Sequence, residues 1–130
     1  MHRRFTLIAG ILGFTGVLLG AFGAHSLRDV LLRHETTEIW RTAVLYHLLH
    51  AVAVLAVTFK STRSKQLNAA MTCWTLGVVL FSGSLYALAV GGPAKVLGPI
   101  TPLGGLAFLA GWTLIMADVW AAQKSESTEP

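Results

Sequence analysis

Two histidines three residues apart, His47 and His50, sit in a run of otherwise apolar residues just after Tyr46. On a helix, positions three and four apart share a side, so the spacing puts Tyr46, His47 and His50 in reach of one another. An ionisable group in hydrocarbon is a functional candidate by default, because its charged form is costly there. Three chemistries are open. A neutral imidazole could bond to a serine hydroxyl or a backbone carbonyl on a facing helix, it could be one link of a proton or ion path, or it could ligate a metal or haem. The first asks least of the sequence. Haem would want axial histidines on facing helices, and these two share one. Zinc would want three or four converging ligands, and no Cys, Asp or Glu lies at similar depth.

Other polar groups stand in similar surroundings. Ser82, Ser84 and Tyr86 come from "SGSLY", Thr101 from "PITP", and His25 ends the first apolar run in "GAFGAH". Ser82 and Ser84 could line a path with hydroxyls, but serine and glycine at this spacing more often let helices approach and bond across. Thr101 reads as the N-cap of the last helix, with Pro102 at its first position. Asp118 lies near the end of the last apolar run, where reaching the interface or pairing with a basic group such as Lys65 or Lys124 fits better than catalysis. No phosphate loop, nucleophile elbow or paired carboxylates occur. The sequence therefore carries no enzyme signature and calls for no cofactor and no metal.

The elements that must hold these groups follow from composition. Of 130 residues, 54% are apolar and only 12% charged, with a mean hydropathy of +0.63. A soluble domain carries about 25% charged residues. A bilayer core of roughly 30 Å needs about 20 apolar residues in a helix. Four runs meet that need, about 5–24, 42–59, 67–90 and 100–122. Backbone amides in lipid must be satisfied within the segment, so the runs are expected as helices. The fold class expected is all-α, a four-helix transmembrane bundle forming one domain over 1–122, with 123–130 a disordered cytoplasmic tail. The net charge of +4 is held between the runs and at the ends. That is the placement of juxtamembrane anchors, and it argues against a nucleic-acid partner. Cys73 stands alone and can form no internal disulfide.

The first run could be mistaken for a secretory signal, with "MHRR" as its basic start. A signal core spans about 7–15 residues, and this run is longer, so a retained helix is expected. Ala9, Gly13, Gly16, Gly20 and Ala24 mark one side of it, which would let another helix come close. The glycines after Pro102 suggest the fourth helix as that partner, within one chain or between protomers. Gly23 reads as the stop of the first helix, at a positive φ. Between the first two runs, Leu27, Val30 and Leu31 predict a short interfacial helix, and Thr36 or Thr37 an N-cap for the next span. "GGPAKVLGPITPLGG" predicts a rigid turn. Arg3, Arg4, Lys60, Arg63, Lys65 and Lys124 fall on one side, against Arg28, Arg33, Arg41 and Lys95 on the other. This bias favours both termini in the cytoplasm. On that topology His25, Tyr46, His47, His50, Ser82, Ser84, Tyr86 and Thr101 converge as a polar cluster in the outer half of the bundle.

Four motifs in order, "GAFGAH" at 20–25, "TAVLYHLLHA" at 42–51, "LFSGSLYAL" at 80–88 and "ITPLGGLAFLAGW" at 100–112, closely resemble the domain of unknown function 423 family. These are small bacterial membrane proteins related to eukaryotic transmembrane protein 256. The likeness spans nearly the whole chain, and the matching positions include His25, Tyr46, His50, Ser82, Gly83, Ser84, Tyr86, Thr101, Pro102, Gly104, Gly105 and Trp112. His47 is outside the pattern. The resemblance implies a four-helix protein of the bacterial cell membrane and brings no activity, substrate or cofactor. Three functions follow as expectations. The leading one is a structural or accessory membrane component, surrounded by lipids and associated with itself or a larger complex. The alternative is a carrier or channel for a small solute, proton or ion. The third is a ligand- or lipid-binding enzyme using the outer cluster.

Overall fold

Uncharged apolar runs with no water to bond their amides coil into helices, and they do so here. A computed structural model describes residues 3–60 and 64–126. Its elements are α1 (Arg3–Ala24), α2 (Arg28–Arg33), α3 (Thr37–Thr58), α4 (Lys65–Gly77), a π-helical turn (Val78–Ser82), α5 (Gly83–Ala89) and α6 (Ala94–Glu126). Among the described residues, four stretches are long and apolar enough to cross a membrane: α1, α3, the continuous α4–π–α5 stretch, and α6. Large apolar side chains such as Leu7, Phe14, Val52, Leu106 and Met116 are exposed around the bundle. In water such a girdle would be an aggregation hazard, whereas lipid covers it.

The bundle is built from two helix pairs. α1 packs along α3, and α6 packs along α4 and its continuation; α3 then joins the pairs through α4, the π turn and α5. Each pair interlocks glycine against bulk. Gly16 faces Leu48, Gly20 faces Val44 and Gly23 faces Trp40, which fixes α1 and α3 as antiparallel. Gly104 lies against the Phe81 backbone, Phe108 fills the space over Gly77, and Gly111 lies against Trp74. These are also antiparallel, and large and small residues alternate on both helices. The small-residue side of α1 is therefore used against the second span, not the fourth. The glycines at 104 and 105 meet the third span, not the first. Gly13, which the sequence groups on the same side, has open space beside it.

Several local readings are corrected. The "GGPAKVLGPITP" segment is mostly helix, because α6 already begins at Ala94 and carries Pro99 and Pro102 inside it. Each proline removes one amide, leaving the Lys95 and Gly98 carbonyls without their helical donors near the exposed start of the helix. Thr101 is accordingly an interior residue and caps nothing. Thr36 is the N-cap residue of α3, but its side chain makes no capping bond. Its Oγ1 instead donates to the Ala89 carbonyl at 2.7 Å, tying α3 to the end of α5. Gly23 does not stop α1, which ends at Ala24, and the only positive-φ glycine among the described residues is Gly91, at 95°. Gly91 N–H donates to Leu88 O and Gly92 N–H to Ala87 O, the paired bonds of a Schellman ending. The same pattern ends α2, with Glu35 at a φ of 56° in the glycine-like position.

α2 is the expected short helix between the first two spans. Its Leu31 is 1% exposed and packs with Trp40 and Ala89, so one side is seated on the end of the bundle. At the opposite end Asp118 pairs with a basic group, Lys60, at 3.4 Å. Residues 123–126 continue α6. The rest of the expected disordered tail, 127–130, lies outside the described residues.

The interlock predicts a contrast between two glycines of α6. A Cβ at Gly104 meets the Phe81 backbone, which cannot swing aside, whereas Gly98 has open space. Gly104→Ala should destabilise by about 1–3 kcal/mol, and Gly98→Ala should be neutral or up to about 1 kcal/mol stabilising. Thermal midpoints of the two variants in one detergent check this.

Candidate functional site

The polar residues picked out by spacing resolve into three separate contacts. The reason is angular. Residues three apart on a helix are about 60° from being superimposed, because each step turns about 100°. His47 is therefore turned toward α1 and α5, and His50 toward α6.

The first contact is centred on His47, which is buried at 5% exposure. Its Nε2 lies 3.3 Å from Thr15 Oγ1, and its Nδ1 lies 3.2 Å from the Tyr86 hydroxyl. Thr15 Oγ1 also donates to the Ile11 carbonyl at 2.8 Å. A hydroxyl has one proton, so Thr15 must accept from His47. That places the imidazole proton on Nε2, and Nδ1 accepts from Tyr86. The order runs Tyr86 to His47 to Thr15 to Ile11 O, joining α5, α3 and α1. Tyr86 is held by Trp40, with ring centroids 4.7 Å apart. Trp40 Nε1 in turn donates to Leu19 O at 3.0 Å. Only a residue without a side chain at 23 lets that indole in.

The second contact is centred on His50, at 2% exposure. Its Nδ1 lies 2.8 Å from the Tyr46 carbonyl, one turn back on the same helix. A carbonyl only accepts, so the proton is on Nδ1. Nε2 then accepts from Trp112 Nε1 at 3.3 Å. Both nitrogens are satisfied in the neutral form. The Phe108 ring stacks on the imidazole with centroids 3.6 Å apart, and the Trp74 and Trp112 rings stand 6.2 Å away. Tyr46 takes part through its carbonyl and its ring, which lies 4.7 Å from Phe81.

The third contact joins α5 to α6. Ser84 Oγ and Thr101 Oγ1 are 2.7 Å apart. Ser84 Oγ also lies 3.0 Å from Phe81 O and Thr101 Oγ1 3.3 Å from Leu97 O, so either hydroxyl can donate across the pair while the other donates to its own helix. Ser82 belongs to none of the three. It is fully buried in the π turn, and its hydroxyl has no hydrogen-bond partner among the described residues. The same holds for Trp74 Nε1, whose indole lies flat on Gly111. Each such orphan costs about 1–3 kcal/mol. His25 is exposed at the end of α1 and joins none of these contacts.

Sequence reasoning missed Thr15, Trp40, Trp74 and Phe108 as members. Thr15, Trp74 and Phe108 look like ordinary span residues and Trp40 falls just ahead of the expected second span, and only the glycine opposite Trp40, Trp74 or Phe108 hints that a large ring is received there. No group of three or more His, Cys, Asp and Glu side chains among the described residues could hold a metal ion. The contacts offer closed hydrogen bonding within the bundle and no exposed nucleophile.

If His47 links two helices through both nitrogens, its neighbours are coupled. Tyr86→Phe and Thr15→Val should each cost about 1 kcal/mol, and the double variant should differ from their sum by about 0.5 kcal/mol or more. Unfolding of all four proteins in one detergent gives the coupling, and strict additivity would show that the chain of bonds is not formed.

Comparison with known proteins agrees with a membrane protein. The chain is 39% identical over 117 residues to the UPF0382 membrane protein YwdK of Bacillus subtilis, covering 88% of this chain and 94% of that protein. It is 42% identical over 119 residues to the UPF0382 inner membrane protein YgdD of Escherichia coli, covering 89% of each. A UPF0382 membrane protein of Haemophilus influenzae is 41% identical over 113 residues, covering 86% of this chain and 90% of that one. No solved structure matches. The family profile described as "Protein of unknown function (DUF423)" matches residues 19–105. With that match, and with relatives this similar along most of their length, the chain belongs to the DUF423 family of bacterial membrane proteins.

Proposed function

We propose that this chain is a non-catalytic structural or accessory component of the bacterial plasma membrane, acting in association with itself or with a larger membrane complex. The observation that carries this reading is the filled interior around His50. Both ring nitrogens are bonded, Phe108 is stacked on one side, and Trp74 and Trp112 close around it. A carrier needs polar groups that can exchange partners with a solute, and these are held by neighbours. The chain of bonds from Tyr86 through His47 to Thr15 ends on the Ile11 carbonyl. A carbonyl accepts a hydrogen bond but has no proton of its own to pass on. The exposed, small-residue side at Gly10 and Gly13 is what an associating partner would approach.

Orientation belongs to the same proposal. Arg3, Arg4, Lys60 and Lys65 lie at the end of the bundle that holds the termini, opposite α2, and this bias favours both termini in the cytoplasm.

Native mass spectrometry of the chain extracted from its own membrane should find it associated with a second copy or another protein; monomers alone, at every detergent concentration tried, would refute the accessory reading. A fluorescent-protein fusion at the C-terminus should be bright and an alkaline-phosphatase fusion there inactive, and the reverse pair of results would invert the topology.

A further inference from the structure

A groove runs down the α2 end of the bundle between α1, α2 and α3, enclosing a space of about 650 Å³. That lies within the roughly 300–1,000 Å³ of ordinary ligand sites. Its two ends differ in chemistry. At the mouth stand Arg28 of α2, with Thr37 and Arg41 of α3, while Val44, Leu45 and Leu48 continue the wall toward the middle of the span. From Arg41 to Leu48 is seven residues of α3, about 10 Å of helix. Gly20 forms part of the opposite side, and its missing side chain keeps the groove open.

We propose that this groove is a binding site for one anionic phospholipid, its headgroup phosphate held between Arg28 and Arg41 and one acyl chain laid along Val44, Leu45 and Leu48. The location decides the occupant. The mouth is where a helix leaves hydrocarbon for the headgroup layer, and the wall leads back into hydrocarbon. A phosphate ion would use only the mouth, and a neutral apolar molecule only the wall. A phospholipid has its charge and its chain in that same order. Guanidinium offers paired N–H donors that match phosphate oxygens two at a time, which lysine cannot do. Arg41 now bonds Glu38 at 2.7 Å, with the two side chains 71% and 80% exposed. A pair this exposed contributes about 0–1 kcal/mol, so phosphate can draw on the guanidinium without displacing a strong partner. Leu31 anchors α2 to the bundle, which holds Arg28 over the groove in advance of binding.

The site goes beyond the accessory role and can stand or fall separately from it. The test uses the full chain purified in neutral detergent and titrated with phosphatidylglycerol, phosphatidylcholine or inorganic phosphate, read by native mass spectrometry and by thermal midpoint. Expected is a single retained phosphatidylglycerol, a raised midpoint, and affinity at least about tenfold above that for phosphatidylcholine. Arg28→Gln with Arg41→Gln should remove that preference, and Arg33→Gln, which is outside the groove, should keep it. If the double glutamine variant does not fold, Arg28→Lys with Arg41→Lys keeps the charge and loses the paired donors. Its preference should then fall between wild type and none. Leu45→Trp, which fills the wall, should weaken phosphatidylglycerol even with both arginines present. Equal binding of the two lipids, an unchanged preference in the arginine variants, or a shift by inorganic phosphate as large as that by lipid would each overturn the proposal.

Discussion

Helices in a bilayer gain little by hiding leucine from lipid, since lipid tails are as apolar as leucine itself. What holds them together is close contact, summed over many atoms, and hydrogen bonds made where no water competes. In this chain both depend on the same arrangement, a glycine on one helix opposite a large side chain on its antiparallel neighbour. Gly16, Gly20 and Gly23 set α1 against Leu48, Val44 and Trp40, and Gly77, Gly104 and Gly111 do the same between the third and fourth spans. The backbones come near enough for side chains such as Thr15 and Trp112 to reach across. Remove the near approach, and the bonds to His47 and His50 have nothing to span.

The polar groups then act as locks on a bundle that is otherwise oiled on every side. Tyr86, His47 and Thr15 connect three helices in one line. Trp112 and His50 connect α6 to α3, Ser84 and Thr101 connect α5 to α6, and Thr36 ties the α2–α3 junction to the end of α5. Together the locks join α1 to α3, α3 to α5 at two levels, α3 to α6 and α5 to α6. Sliding any one helix along another breaks at least one of them, and this gives a single register to surfaces made largely of interchangeable Leu, Val and Ala.

The large features were legible in the sequence because they are set by local composition. Four apolar runs, uncharged but for Asp118, gave four spans, and the stripe of Leu27, Val30 and Leu31 marked the short helix that follows the first. Pairing was not legible. A glycine row on α1 says that something comes close, but the identity of the partner depends on which face of α3 carries Trp40, Val44 and Leu48. Thr101–Pro102 looked like a helix start because proline is tolerated best there, yet Ala94 begins the helix and the lost amide bonds fall in its first turns. His47 and His50 looked like a couple because three residues is nearly a turn. The remaining difference in angle is enough, in a three-sided contact, to send one ring to α1 and the other to α6. Thr15 and Phe108 left no trace in the pattern, since a hydroxyl that bonds its own helix and a ring in an apolar run are both unremarkable in a span.

The π turn at Val78–Ser82 fits one more residue into the third span than a plain helix would hold in that length. Trp74 and Met71 before it and Ser84 after it are buried, and Tyr86 reaches His47, all at once only because of this extra step. Wind the same residues as a plain helix, with none removed, and everything beyond the turn swings by about 100°. The hydroxyl that meets Thr101 and the phenol that meets His47 would then point into the lipid. In this stretch, the winding itself is under constraint. Exchanges of one apolar residue for another are permitted by the chemistry, while straightening the turn would undo two helix contacts without altering the character of any side chain.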